Sequence, residues 1–173
     1  MASIRGYMAA SVDGYIADAA GGVDWLEPFN AVDVGYARFI AGIGTVVMGR
    51  TTYDQCIGFG AEWVYAGKRG LVVTSRALSD PPADVAAWRD GIGALVQELR
   101  AIDDGDVWIV GGAMLQSAFI EQGALDRLEL FVMPLLLGSG VPLFRSMAQS
   151  QALSLDAVEQ FDMDIARLDY RMG

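Results

Sequence analysis

Short apolar runs alternate with amphipathic stretches along the chain, and the period of each run assigns an element. Ile4 to Ala10 predicts a first strand, followed by a glycine-rich loop through Gly22. Val32, Tyr36, Phe39 and Ile40 recur at helical spacing, so Ala31–Ala41 is expected to be a helix with Asn30 as its N-cap and Gly42 as its stop. Thr45–Met48 reads as a buried strand ending at Gly49, Thr51–Ile57 as a short helix, and Gly70–Thr74 as the next strand. Pro81 to Asp84 is a loop within the domain. Ile92–Ile102 predicts a helix closed by the turn Asp103-Asp104-Gly105. Val107–Val110 is a strand running into Gly111-Gly112, Ala113–Gln122 a helix, and Arg127–Met133 a strand.

The pattern changes near the end. Ala152–Phe161 and Met163–Tyr170 are two extended segments joined by a tight turn at Asp162. Strands alternating with helices, then a terminal hairpin, predict an α/β fold. Its central sheet is mostly parallel with an antiparallel C-terminal edge hairpin, and helices cover both faces. With no repeat, low-complexity stretch or linker, residues 1–173 are expected to form one domain.

Composition narrows the chemistry. Hydrophobic residues make up 53% of the chain, ample for a core, and the net charge is -10. One lysine, Lys68, and the arginines face 22 acids, so a nonspecific nucleic-acid surface is not expected. An anion would have to be held in a local pocket, by arginines. No stretch reaches the roughly 18 apolar residues of a spanning helix. The N-terminus lacks a signal-peptide layout, and no membrane association is expected. Cys56 stands alone, which suits a reducing compartment such as the cytoplasm. There is no histidine. That excludes Ser-His-Asp and Cys-His catalysis and His-ligated zinc sites, and no metal is expected. Acid–base work falls to Asp, Glu, Tyr, Lys or water, and a reductase using a bound cofactor gains ground.

Three strand ends carry glycine, hydroxyl residues or arginine: Met48-Gly49-Arg50-Thr51-Thr52, Val73-Thr74-Ser75-Arg76 and Val110-Gly111-Gly112-Ala113. In open α/β sheets ligands sit beyond the carboxyl ends of strands. A following helix N-terminus offers free N–H groups and the positive end of its dipole to phosphate. Glycine permits close backbone approach, and arginine presents a fork that matches phosphate. Three such ends point to a ligand with several phosphates. The Gly-x-Gly-x-x-Gly signature is absent, so an ordinary Rossmann domain is not indicated.

In this order and spacing the chain resembles the dihydrofolate-reductase-like superfamily, and within it the riboflavin-biosynthesis reductases found as the C-terminal half of bifunctional deaminase-reductases. Met8 to Ala17 resembles the family's opening strand and loop, which lines the nicotinamide and substrate cleft. Val47 to Tyr53 is similar to the segment that holds the adenosine 2′-phosphate and pyrophosphate. Thr74-Ser75-Arg76 resembles its partner at the 2′-phosphate, and Val110 to Ala113 the Gly-Gly turn, usually a cis peptide, against the pyrophosphate. Pro134 to Phe144 is similar to a segment typical of the riboflavin branch.

The resemblance implies NADPH as cofactor. Its site would comprise Ala10, Gly49, Arg50, Thr51, Thr52, Thr74, Ser75, Arg76, Val110, Gly111, Gly112, Ala113 and Met114. It implies hydride transfer to a small pyrimidine- or pterin-like molecule, as in 5-amino-6-(5-phosphoribosylamino)uracil reduction. Dihydrofolate reduction is the second reading, and a non-catalytic NADP(H)-binding module the third.

Dihydrofolate reductases manage the proton with a carboxylate on the first helix. Asp33 falls near that place on an ungapped count back from Gly49, and Asp13 in the first loop is its rival. Asp24-Trp25 lies between them as a further candidate for the cleft. Arg5, Arg38 and Arg145 are the candidates for a second basic site, for a substrate phosphate. The reductase segments fill the chain and no deaminase zinc ligands accompany them, so a stand-alone reductase is expected. The apolar run Leu128–Leu137 is expected to contribute to a homodimer interface.

Overall fold

The computed structural model describes residues 1–60 and 62–173. Its elements in chain order are β1 (Ile4–Ser11), β2 (Tyr15–Ala17), α1 (Tyr36–Ala41), β3 (Ile43–Gly49), α2 (Arg50–Gly58), β4 (Arg69–Val73), β5 (Val85–Trp88), α3 (Gly91–Arg100), β6 (Asp106–Val110), α4 (Ala113–Glu121), β7 (Arg127–Met133), β8 (Val141–Pro142), β9 (Leu153–Gln160) and β10 (Ala166–Met172). Eight strands form one sheet in the order β5-β4-β3-β6-β1-β7-β10-β9, and β2 pairs with β8 outside it. Every pairing from β5 through β7 is parallel, and β10 and β9 close the edge antiparallel. This is the expected α/β architecture, a mostly parallel sheet with a C-terminal antiparallel hairpin.

Alternate residues of the central strands feed opposite faces, as the two-residue period of a strand requires. Val47, Leu71, Val107 and Ile109 pack under α3 and α4 with Leu95, Leu99, Leu115 and Phe119. Their neighbours Val46, Met48, Val72, Trp108 and Val110 pack under α1 and α2 with Phe39, Tyr53 and Cys56. Helices therefore cover both faces, and the strands between them read as continuous apolar runs because both sides are buried. No helix among the described residues is long and apolar enough to cross a membrane.

Four local expectations need correction. The helix expected over Ala31–Ala41 is only α1. Asp33 Oδ1 accepts a hydrogen bond from the Gly35 N–H at 2.9 Å, and Gly35 takes φ 81°, so the chain turns before the helix starts. Asn30 instead ends a 3₁₀ turn over Asp24–Phe29. Strand β5, after the double proline, is an edge strand that the loop-like composition concealed. The terminal turn is longer than one residue: Met163 (φ 57°) and Asp164 (φ 59°) are left-handed, and β10 begins only at Ala166. Thr74-Ser75-Arg76 forms a bend rather than a helix start.

The apolar character of β7 has a local cause as well. It lies inside the sheet between β1 and β10, with Leu128 1% and Phe131 2% exposed.

Candidate functional site

The three glycine- or hydroxyl-bearing segments arrive side by side. Their strands β4, β3 and β6 are consecutive in the sheet. The register pairs Gly49 with Val73 and Met48 with Val110, so the strand ends are nearly level. Beyond them opens a cleft of about 820 Å³ that crosses the sheet edge from the α2 face to the α4 face.

The floor of the cleft is backbone-rich. Gly49 is extended (φ -79°, ψ 168°) and passes directly into α2, while Gly111 (φ 57°) and Gly112 (φ 72°) hand the chain to α4. Neither helix has a side-chain cap at its N-terminus. Their first-turn N–H groups are thus left to a ligand or to water. The Gly111–Gly112 peptide is trans, which corrects the cis expectation: two successive positive φ angles make the turn instead. A Cβ on Gly49 would meet no protein atom within 4 Å, and one on Gly112 would find only Thr52 Oγ1, at 3.9 Å. Both glycines therefore face open space.

Of the residues singled out from the sequence, Gly49, Arg50, Thr51, Thr52, Val110, Gly111, Gly112, Ala113 and Met114 line this cleft. Ala10 is buried beside Met8 and Leu143, and its neighbour Ala9 lines the cleft instead. At the end of β4 the lining residue is Val73, with Thr74, Ser75 and Arg76 on the adjoining bend. Arg50 holds that bend in place. Its Nε donates to Asp54 Oδ1 at 2.7 Å, and its Nη1 to the Ala77 carbonyl at 3.2 Å. Arg76 is exposed and has no ion pair among the described residues; its N–H donates to Thr74 Oγ1 at 3.2 Å.

The two carboxylates stand apart from the lining. Asp13 Oδ1 accepts from the Ser11 hydroxyl at 2.6 Å and the Leu137 N–H at 3.0 Å, and Oδ2 from the Gly138 N–H at 2.7 Å. It fastens the first loop to the segment after β7. The Ser11 hydroxyl, with these N–H groups, holds its carboxyl below the usual carboxylate range. Asp33 is exposed beside Val32 and Phe161, on a separate shallow depression. Burial, with the Glu129 charge, pushes up the phenol of Tyr7, a lining residue. Trp25 packs against the Phe131–Ile165 cluster rather than the cleft, whereas Leu26 lines it.

The remaining basic candidates separate cleanly. Arg5 is bound to Asp106 and to Glu129 and lies over the Phe39 ring. Arg38 is exposed on α1. Arg145 alone of the three lines the cleft, and its N–H donates to Ser117 Oγ on α4.

Sequence reasoning missed Tyr7, Gln55, Cys56, Phe59 and Tyr65, all in the lining. Tyr7 stacks on Phe39 at 4.2 Å between centroids, and Tyr65 meets Trp108 edge-on at 5.5 Å. Burial pushes both the Cys56 thiol and the Tyr65 phenol up. The aromatic density between Tyr53 and Tyr65 was the available signal.

This geometry has known counterparts. The RibD C-terminal domain model matches residues 2–166. The chain belongs to that family. It is 34% identical to YwjB of Bacillus subtilis over 90% of each chain. It is 29% identical to the riboflavin biosynthesis protein RibD of Corynebacterium ammoniagenes over 77% of this chain, which spans 43% of that longer protein.

Among solved structures, a protein assigned to riboflavin biosynthesis in Shewanella sp. PV-4 superposes with a TM-score of 0.88 at 26% identity, covering 99% of both chains. The Thermotoga maritima diaminohydroxyphosphoribosylaminopyrimidine deaminase/5-amino-6-(5-phosphoribosylamino)uracil reductase shares the fold. Its TM-score is 0.72 at 17% identity, over 99% of this chain and 57% of that one. A RibD-type reductase fold, dihydrofolate-reductase-like in plan, is thereby established.

Proposed function

We propose that the protein is an NADPH-dependent reductase of the riboflavin-biosynthesis type, transferring hydride to a pyrimidine- or pterin-like ring. The observation that carries this reading is the pair of uncapped helix N-termini, α2 and α4, opening from adjacent strands behind glycines whose missing side chains leave the approach clear. That donor set suits a pyrophosphate. When bound, NADPH supplies the hydride. The chain's own groups bind and orient: the N–H groups of Arg50, Thr51, Ala113 and Met114 and the hydroxyls of Thr51 and Thr52 take the phosphates. Thr74, Ser75 and Arg76 read the 2′-phosphate, on a bend that Arg50 positions through the Ala77 carbonyl. Ala10 supports the wall at the nicotinamide end through its neighbour Ala9.

For the proton, Asp33 is the better of the two carboxylates. Asp13 spends both oxygens on the loop, whereas Asp33, among the described residues, bonds only the Gly35 N–H through one oxygen and keeps the other free. A second copy of the chain is the partner this reading expects. The run Leu128–Leu137 expected at that contact is mostly spent inside the sheet as β7, so the contact would instead be the apolar face of the terminal hairpin, where Leu155 is 53% and Val158 64% exposed.

Titration of the tryptophan fluorescence with NADPH and NADH tests the reading. NADPH is expected to bind at least tenfold tighter, and Arg76→Ala to remove most of that preference. Equal affinity for the two cofactors, or none for either, would sink it. Asp33→Asn and Asp13→Asn, assayed separately with a pterin or pyrimidine substrate, decide the proton assignment. If Asp33→Asn leaves turnover unchanged, that assignment fails.

A further inference from the structure

Among the described residues, the charged side chains in the cleft lining are Arg50 and Arg145. Arg50 is already engaged by Asp54 and the Ala77 carbonyl. Arg145 is exposed, and its guanidinium makes no ion pair among the described residues. Arg38, Arg76 and Arg89 also lack an acid partner there, but none of them lines the cleft. Arg145 is therefore the one cation in the lining with its charge uncommitted.

The base of Arg145 is fixed. Its N–H donates at 3.1 Å to Oγ of Ser117, an α4 residue with 0% exposure. Leu143 is buried with Met8 and Ala10, and Phe144 and Met147 pack against the Val47–Ile109 cluster. A side chain free at its tip thus starts from a pinned backbone beside the second turn of α4. Ser117 lies about 6 Å along the helix axis from Ala113, a span that an extended arginine covers. The start of α4 has no cation of its own: its first turn is Ala113-Met114-Leu115-Gln116, without a side-chain cap. The α2 end is close by, since a Cβ on Gly111 would lie 3.3 Å from Thr52 Oγ1.

We propose that Arg145 is a clamp that closes on the pyrophosphate of the dinucleotide at the N-terminus of α4. This rests on the reductase reading and adds to it a binding residue from outside both glycine-bearing segments. A net charge of -10 repels a polyanion at long range, so capture depends on cations placed at the site itself. The guanidinium fork matches two phosphate oxygens, and the α4 N–H groups leave oxygens on the other side for it. The clamp also shares a piece of chain with the first loop: β8, just before Arg145, pairs with β2, and Asp13 holds Leu137 and Gly138. Pyrophosphate is common to NADPH and NADH, so Arg145 strengthens both equally, unlike a residue that reads the 2′-phosphate.

Fluorescence titration of the whole protein with NADPH, NADH and adenosine 2′-monophosphate tests the clamp. Arg145→Ala is expected to weaken NADPH and NADH alike, by about tenfold at low salt, and to leave the monophosphate within twofold of the parent. Arg145→Lys keeps a positive charge and is expected to recover at least half of the lost binding free energy. The exposed side chain leaves the melting temperature of both variants unchanged, so weaker binding is not loss of fold. Unchanged affinity for both dinucleotides overturns the clamp, as does a loss confined to NADPH and the monophosphate, which would move Arg145 to the 2′-phosphate. No recovery in Arg145→Lys would overturn the charge argument. Failure of the parent itself to bind either dinucleotide sinks the reductase reading; parent-like binding by Arg145→Ala sinks only the clamp.

Discussion

Gly49→Ala separates binding from stability at the centre of the proposed cofactor site. Gly49 sits at φ -79°, ψ 168°, a conformation any residue adopts, and a Cβ there meets no protein atom within 4 Å. Two small effects act on the fold. Restricting the unfolded chain stabilises by about 0.4–1 kcal/mol. Replacing glycine by alanine at the N-cap of α2 costs about 0.5–1 kcal/mol. They oppose each other, so the melting temperature should stay within about 3 °C of the parent. The ligand has no such compensation. The new methyl group occupies the space through which a phosphate oxygen reaches the first N–H groups of α2, and loss of one charge-assisted hydrogen bond is worth about 1.5–3 kcal/mol. That converts to a rise in the NADPH dissociation constant of about 10- to 150-fold. Thermal unfolding by circular dichroism and fluorescence titration on the same sample read the two quantities. A variant that melts like the parent and binds NADPH equally well refutes the placement of phosphate at Gly49.

Two further substitutions probe the same architecture. Gly112→Ala forces alanine to φ 72°, ψ 106°, outside the left-handed well, so it should cost about 1–3 kcal/mol and lower the melting temperature by about 3–10 °C; a melting temperature within 1 °C of the parent would show that the turn relaxes. Asp13 has a depressed folded-state pKa, so its contribution is fully present above the unfolded value near 4 and is lost as pH falls through the folded value. Amide exchange at Leu137 and Gly138 should therefore accelerate, relative to the intrinsic rate, only below about pH 4 in the parent but at every pH in Asp13→Ala; parent-like protection at pH 6 in that variant would contradict the fastening role.

The parallel part of the sheet was legible because its strands are buried on both faces and each ends in a chemically distinct segment. Thr45–Met48 and Val107–Val110 could hardly be anything else. The errors fall where a local bond overrode a longer pattern. Val32 continues a helical stripe on paper, yet the Asp33–Gly35 hydrogen bond and the left-handed Gly35 stop the helix there, and Val32 and Val34 turn into the Phe131–Ile165 cluster. Strand β5 escaped notice for the opposite reason. An edge strand pairs along one side only, so Val85–Trp88 needs no long apolar run, and Val85 alone of its four residues is fully buried.

The same distinction explains why one half of the cleft could be read and the other could not. The proposed phosphate cradle is made of consecutive backbone, so Gly49-Arg50-Thr51 and Gly111-Gly112-Ala113 announce themselves in the order of the chain. The aromatic wall is assembled across distance: Tyr7 from the first strand, Leu26 from a 3₁₀ turn, Cys56 and Phe59 from α2 and its end, and Tyr65 from the loop after it. No spacing rule joins them, and each alone reads as ordinary packing. What joins them is the sheet, which sets Tyr7 on the same face as the residues that support α2 and points the alternate residues of the same strands away. Family membership inherits the cradle more securely than the wall for this reason. Backbone geometry persists through substitution, while a wall of five separate side chains changes its shape with one or two of them.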